Sequence, residues 1–190
     1  MLIHRIAAQL HTSDAFQAVE SALAAGEDAT LAVSQSGRTL MLAAQFARAP
    51  RPTVYIVSGE DAADRAARSL AAYVGAAHVA RFPERADYPW KDTQPDDAVV
   101  AARCAALGRL ARGEACIVVS SARALLRCVP PRESRYWAST VFSVGEEVPF
   151  EEVPARLIGM GYANADAADA PGLFRVHGDT VEVFPAQEKA

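Results

Sequence analysis

The chain has 190 residues, of which 51% are apolar and 22% charged, with a net charge of -4 and a pI near 5.6. A chain of that length buries roughly 70% of its unfolded surface, so it needs no disulfide or metal staple, and its composition excludes wholesale disorder. The acidic balance excludes a globally basic nucleic-acid binder, and the length is short for an ATP-driven motor.

Asp14 to Ala25 reads as a helix: Phe16, Val19 and Leu23 share one stripe, and Gly26 stops it. Thr30 to Val33 reads as a short buried strand. Gly37 to Ala47 is helical, with Leu40, Met41, Ala44 and Phe46 supplying the apolar surface before Pro50 and Pro52 break it. Thr53 to Val57 is a β-branched strand ending at Ser58-Gly59. Asp61 to Tyr73 is a helix, His78 to Phe82 a strand, Asp96 to Leu110 a helix, and Cys116 to Val119 a buried strand. Ala122 to Cys128 makes a short helix before Pro130-Pro131. Short apolar strands alternating with helices of ten to fifteen residues predict an α/β domain: a parallel sheet covered by helices on both faces.

The pattern changes beyond residue 131. Val141 to Val144 reads as a strand, Phe150 to Gly159 as a helix, and Ala163 to Pro171 as a loop. Leu173 to Phe184 is a hairpin, with Gly178-Asp179 as a type II′ turn. Residues 1–131 are thus expected to form the α/β domain, and residues 132–190 a smaller α+β domain.

About forty residues are Ala, and Arg outnumbers Lys by 17 to 2. This bias reads as genomic composition, so Ala runs alone do not define helices. No apolar run approaches the roughly eighteen residues of a membrane span, and the start, Met1 to Arg5, lacks a signal-peptide pattern. Cys104, Cys116 and Cys128 are odd in number and lack CxxC pairing, so reduced thiols in a cytoplasmic protein are expected, without a zinc site.

One segment has the outline of a phosphate-binding loop. Between the expected strand and helix runs Ala32-Val33-Ser34-Gln35-Ser36-Gly37-Arg38-Thr39, in the register of G-x-x-x-x-G-K-[ST]. The strand–loop–helix context, Gly37 and Thr39 fit, with Ser36 at a position the motif leaves free. The first glycine is Ala32 and the lysine is Arg38, which keeps the charge but not the compact ammonium that reaches between phosphates. The apolar strands run into Ser34, Ser58 and Ser120 rather than into a magnesium-holding acid. Nucleotide hydrolysis by this chain is therefore not expected, and no catalytic or metal-ligating residues are assigned.

Together with this altered loop, several segments resemble the N-terminal module of bacterial transcription-repair coupling factors, the Mfd family, a module related to UvrB. They are Phe82-Pro83, Tyr88-Pro89-Trp90 and Pro95-Asp96-Asp97 with Arg103 and Leu107. Ile117-Val118-Val119 through Leu126 and Pro130-Pro131 follow. Then come Gly145, the helix around Leu157, Gly161-Tyr162, Phe174-Arg175-Val176, Gly178-Asp179 and Val183-Phe184-Pro185. The ordered set spans residues 10 to 186. It implies a non-catalytic adaptor that docks UvrA through the small domain and helps hold the factor inactive until RNA polymerase is engaged. On that resemblance the chain is a fragment. ATP, magnesium, DNA and RNA polymerase then belong to the motor and other regions of a longer parent, an ATP-dependent DNA translocase.

In the hairpin, the turn pairs His177 with Thr180, Arg175 with Glu182, and Leu173 with Phe184. Phe174, Val176, Val181 and Val183 then face a core. Arg175, His177 and Phe184 lie on the other face, a composition suited to partner binding, although Arg175 can simply pair with Glu182 across the strands. The resemblance implies that arginines of this hairpin bind UvrA. Two departures stand out: the family's second hairpin arginine is His177, and Tyr162 is followed by Ala163 and Asn164 rather than by arginine.

Two other readings of the whole remain: a UvrB-like or helicase-like enzyme whose altered loop still handles nucleotide, and an unrelated α/β domain. Lesser features include Arg103, Arg109, Arg112, Arg123 and Arg127, read as a solvated face or a contact to DNA phosphates. Tyr88-Pro89-Trp90 reads as a packed loop or a base-stacking platform. The scattered His4, His11, His78 and His177 assemble into no acid–base pair.

Overall fold

The computed structural model describes residues 10–85, 96–129, 131 and 140–185. His4 and the Tyr88-Pro89-Trp90 segment lie outside the described residues. The fold is mixed α/β: a three-stranded parallel sheet with packed helices, and a small three-stranded mixed sheet. The chain divides into two compact units. The first holds the described residues to Glu84 together with Arg112–Leu126, and the second holds the described residues from Arg85 to Ala111 and from Arg127 onward.

The first unit opens with α1 (Asp14–Ala24) and α2 (Gln35–Arg48), followed by β1 (Thr53–Val57), α3 (Glu60–Val74) and β2 (Val79–Phe82). It closes with β3 (Ile117–Ser121) and a 3-10 turn, Arg123–Leu126. The order is β1-β3-β2, all parallel, with Tyr55 opposite Val119 and Arg81 opposite that same Val119. The central strand β3 is buried along its whole length. That is why it reads as a continuous apolar run rather than as an alternation.

Helix α3 places Ala63, Ala66, Ala67 and Leu70 on one stripe, at the i, i+3, i+4, i+7 spacing of a buried helical face. These residues pack with Ala43 and Phe46 of α2 and with Ile117 and Val119 of β3 into one core. The alanine bias therefore has a structural part, since small side chains occupy the buried stripe of α3. On the opposite face of the sheet, Val54 and Ile56 of the edge strand β1 stay about half exposed, at 46% and 52%.

Arg81 ties the layers of this unit together. Its Nε donates to Asp64 Oδ1 at 2.9 Å and its Nη2 to Glu60 Oε2 at 2.9 Å, both on α3. Its Nη1 donates to the Val119 carbonyl at 2.8 Å. Helix α1 buries Phe16, whose ring meets His11 edge-on at 4.8 Å, and Glu20 pairs with Arg48 of α2 at 2.8 Å.

The second unit contains α4 (Asp97–Ala111), α5 (Glu152–Gly159), β4 (Ala163–Asn164), β5 (Leu173–His177) and β6 (Thr180–Val183). Its sheet order is β4-β5-β6: β4 runs parallel to β5 at Leu173 and Phe174, and β6 is antiparallel.

Three local expectations need correction. Residues 30–33 form no strand. Their apolar run finds no ladder partner among the described residues, and Leu31 and Ala32 are exposed. Residues 141–144 likewise form no strand; Val141 and Val144 face solvent and a turn begins at Val144. The expected loop after Gly161 hides a two-residue strand, β4, too short to leave a periodic signal.

Candidate functional site: an exposed hairpin and an altered phosphate loop

The altered loop folds as a helix start. Helix α2 begins at Gln35, so Ser36 and Gly37 already have helical backbone. Ser34 is the N-cap, and its Oγ accepts from the Gly37 N–H at 3.3 Å. Its hydroxyl also lies 3.4 Å from that of Ser36. A phosphate cradle needs backbone N–H groups converging around a left-handed residue. No residue from 32 to 39 has positive φ. One of the converging N–H groups is also engaged by the Ser34 side chain.

Gly37 stands there for a different reason. A Cβ on it would lie 2.6 Å from Val33 Cγ1 and 3.2 Å from Ser34 Oγ. Ala32, Ser36 and Arg38 are exposed, and Thr39 is half-buried. Ser36, Arg38 and Thr39 open onto a cleft of about 840 Å³ that Tyr55, Ser58, Arg65 and Tyr73 also line. At the end of β3, where a magnesium-holding acid would stand, the Ser120 hydroxyl lies 3.2 Å from the Phe82 carbonyl and 3.1 Å from that of Ser121. Ser121 Oγ accepts from the Ala124 N–H at 3.2 Å. Both serines serve the backbone.

The hairpin has the register that its turn dictates: Phe174 opposite Val183, Arg175 opposite Glu182, Val176 opposite Val181, and His177 opposite Thr180. Gly178 has φ of 61° while Asp179 does not have positive φ, the combination of a type II′ turn. Phe184 continues the pairing, donating its N–H to the Leu173 carbonyl at 2.9 Å. Alternation then sets Arg175, His177, Glu182 and Phe184 on one face. Arg175 Nη2 donates to Glu182 Oε1 at 2.9 Å, and Arg175 Nε is buried without an acceptor among the described residues. His177 is exposed and Phe184 half-buried.

The other face corrects an expectation. Phe174 is fully buried, but Val176 and Val183 are 36% and 38% exposed rather than core. β4 pairs only with Leu173 and Phe174, and among the described residues β6 is the outer strand of this sheet.

The arginine-rich stretch does not form one free basic face. Arg103 is buried, Arg112 bonds Glu114 at 2.7 Å, and Arg123 pairs with Glu84 at 3.3 Å. Arg65 was not singled out from the sequence, and Ser34 reads there as part of the altered loop and the end of a strand rather than as a helix cap. Ser34 carried a usable signal, a serine directly before a helix; Arg65 carried none.

The fold is thus mixed α/β with a small mixed sheet that carries the Arg175 hairpin. Residues 141–190 match the UvrB interaction domain family. The transcription-repair-coupling factor of Myxococcus xanthus is 30% identical over 190 residues, covering 96% of this chain and 16% of that protein. That of Mycobacterium bovis is 31% identical over 165 residues, covering 83% of this chain and 13% of that protein. The UvrABC system protein B of Methanococcoides burtonii is 29% identical over 171 residues, covering 83% and 26%.

The chain is homologous to the UvrB-like N-terminal region of transcription-repair-coupling factors, and so to a region of a DNA-repair protein. It spans about one sixth of the length of the Myxococcus relative. Among the described residues, no helix is long and apolar enough to cross a membrane.

Proposed function

We propose that this chain is the non-catalytic adaptor part of a transcription-repair-coupling factor. It docks UvrA through the small mixed sheet, and so brings UvrA to RNA polymerase that other regions of the parent engage. The same region helps hold the parent's ATP-driven motor inactive until then. The observation that carries this reading is a coincidence of position. The match to the UvrB interaction domain falls on residues 141–190, and that stretch holds the hairpin that presents Arg175, His177 and Phe184. The capped start of α2 and the serines ending β3 support a non-catalytic role.

Charge on the hairpin is the lever. Arg175 is the permanent cation of the docking face, and a guanidinium gives charge-assisted hydrogen bonds that an imidazole at His177 supplies only when protonated. Isothermal titration of purified UvrA into the chain tests the reading. Arg175→Glu weakens binding by at least about tenfold, as expected when a charge pair becomes a repulsion. Unchanged affinity sinks the assignment of the hairpin.

A further inference from the structure

The Arg175–Glu182 pair has an uneven geometry. Glu182 Oε1 accepts from Nη2 at 2.9 Å, while Nε, on the same edge of the guanidinium, is buried and meets no acceptor among the described residues. That edge presents two parallel N–H groups, spaced to receive the two oxygens of one carboxylate. Glu182 therefore takes half of a two-point site and leaves the buried half unsatisfied, a costly arrangement for an N–H away from water.

Glu182 is also free to leave. It sits on β6, the outer strand of the small sheet among the described residues, with its side chain 51% exposed. An exposed cross-strand ion pair holds its partners only weakly. The other residues of the hairpin on this face are Leu173, His177, Thr180 and Phe184, so among the described residues Glu182 is the only carboxylate that alternation places beside Arg175, with Asp179 in the turn.

We infer that Glu182 is an internal placeholder for a carboxylate of the docking partner. In the complex, an aspartate or glutamate of the partner takes Nη2 in place of Glu182, and the side-chain movement that turns Glu182 out to solvent opens Nε to the second oxygen of that carboxylate. The pair keeps the guanidinium aligned in the free chain and at the same time competes with docking. This inference rests on the docking reading above, and the experiment separates the two.

Purified UvrA is titrated into the 190-residue chain carrying Glu182→Gln, with Glu182→Ala as a second variant that also removes the side chain's bulk. Both bind about three- to fivefold more tightly than the parent sequence, the gain expected from releasing one exposed ion pair. In an Arg175→Ala background, which leaves no guanidinium to release, Glu182→Gln gains clearly less than it does in the parent sequence; an equal gain in both backgrounds shows plain charge relief and overturns the placeholder. Glu182 variants that bind equally or more weakly, while Arg175→Glu still loses binding, overturn the placeholder and leave the docking face standing. If Arg175→Glu also binds like the parent sequence, the docking face falls and the placeholder falls with it.

Discussion

Replacing Gly37 by alanine tests whether that glycine serves packing or a phosphate. Three terms compete. Alanine favours the helix over glycine by up to about 1 kcal/mol. Against this, the new Cβ would sit 2.6 Å from Val33 Cγ1, far inside the 3.5–4.0 Å of a favourable carbon contact. Val33 is β-branched and stiff at χ1, so relief requires moving the backbone, and such overpacking costs typically about 1–3 kcal/mol. The Ser34 cap lies only 3.2 Å from the same Cβ, and a lost cap costs about 1 kcal/mol more. The net is a destabilisation of about 1–3 kcal/mol. For a chain of this size each kcal/mol lowers Tm by about 2–4 °C, so circular dichroism should record a fall of roughly 2–12 °C. A variant as stable as the parent sequence, or more so, would refute the argument, because the close approach to Val33 would then be relieved without cost.

Two further outcomes follow from the same geometry. Magnesium-ATP should leave Tm unchanged in a thermal shift assay, because the start of α2 is capped by Ser34. A site filled to about 100 times its Kd would instead add about 2.7 kcal/mol, several degrees in Tm. Cys104 is exposed at the surface, yet partial desolvation of its thiol pushes it above the ordinary 9.0, with the charge of Arg103 pulling partly the other way. The folded chain thus keeps a proton that the unfolded chain releases. The stability from this group is complete below the unfolded pKa and is lost as pH rises through the higher folded value. Iodoacetamide labelling of Cys104, mapped by mass spectrometry, should reach half-maximum at a higher pH in the folded chain than in urea. Coincident profiles would refute the shift.

The helices from Asp14, Asp61 and Asp96 onward were legible because their signals are local. A period near four, a stop such as Gly26 or a break such as Pro50 lies within one turn or two of the helix it defines. The hairpin was legible for the same reason. A two-residue turn with glycine first fixes every pair outward from it, so Arg175 opposite Glu182 follows from Gly178 alone. The departures from a working phosphate loop, Ala32 and Arg38, were equally plain in the sequence.

What the sequence could not supply was the partner of each apolar run. Residues 30–33 and 141–144 have strand composition, yet a strand exists only where another backbone completes its hydrogen bonds, and that lies far away in the chain. The two-residue β4 forms because Gly172 and Phe174 offer carbonyls to Ala163 and Ala165, at 3.0 and 2.9 Å. Val176 and Val183 alternate like core residues, yet they stay 36% and 38% exposed, because alternation names a face and not what packs on it. Arg81 had no local mark at all. Its three contacts lie 17, 21 and 38 residues away. Sequence determined which segments coil, where they stop and how the hairpin pairs, because those interactions close over a few residues. The tertiary structure alone decided which apolar runs become strands and which apolar positions stay open, because burial depends on what the rest of the chain brings alongside.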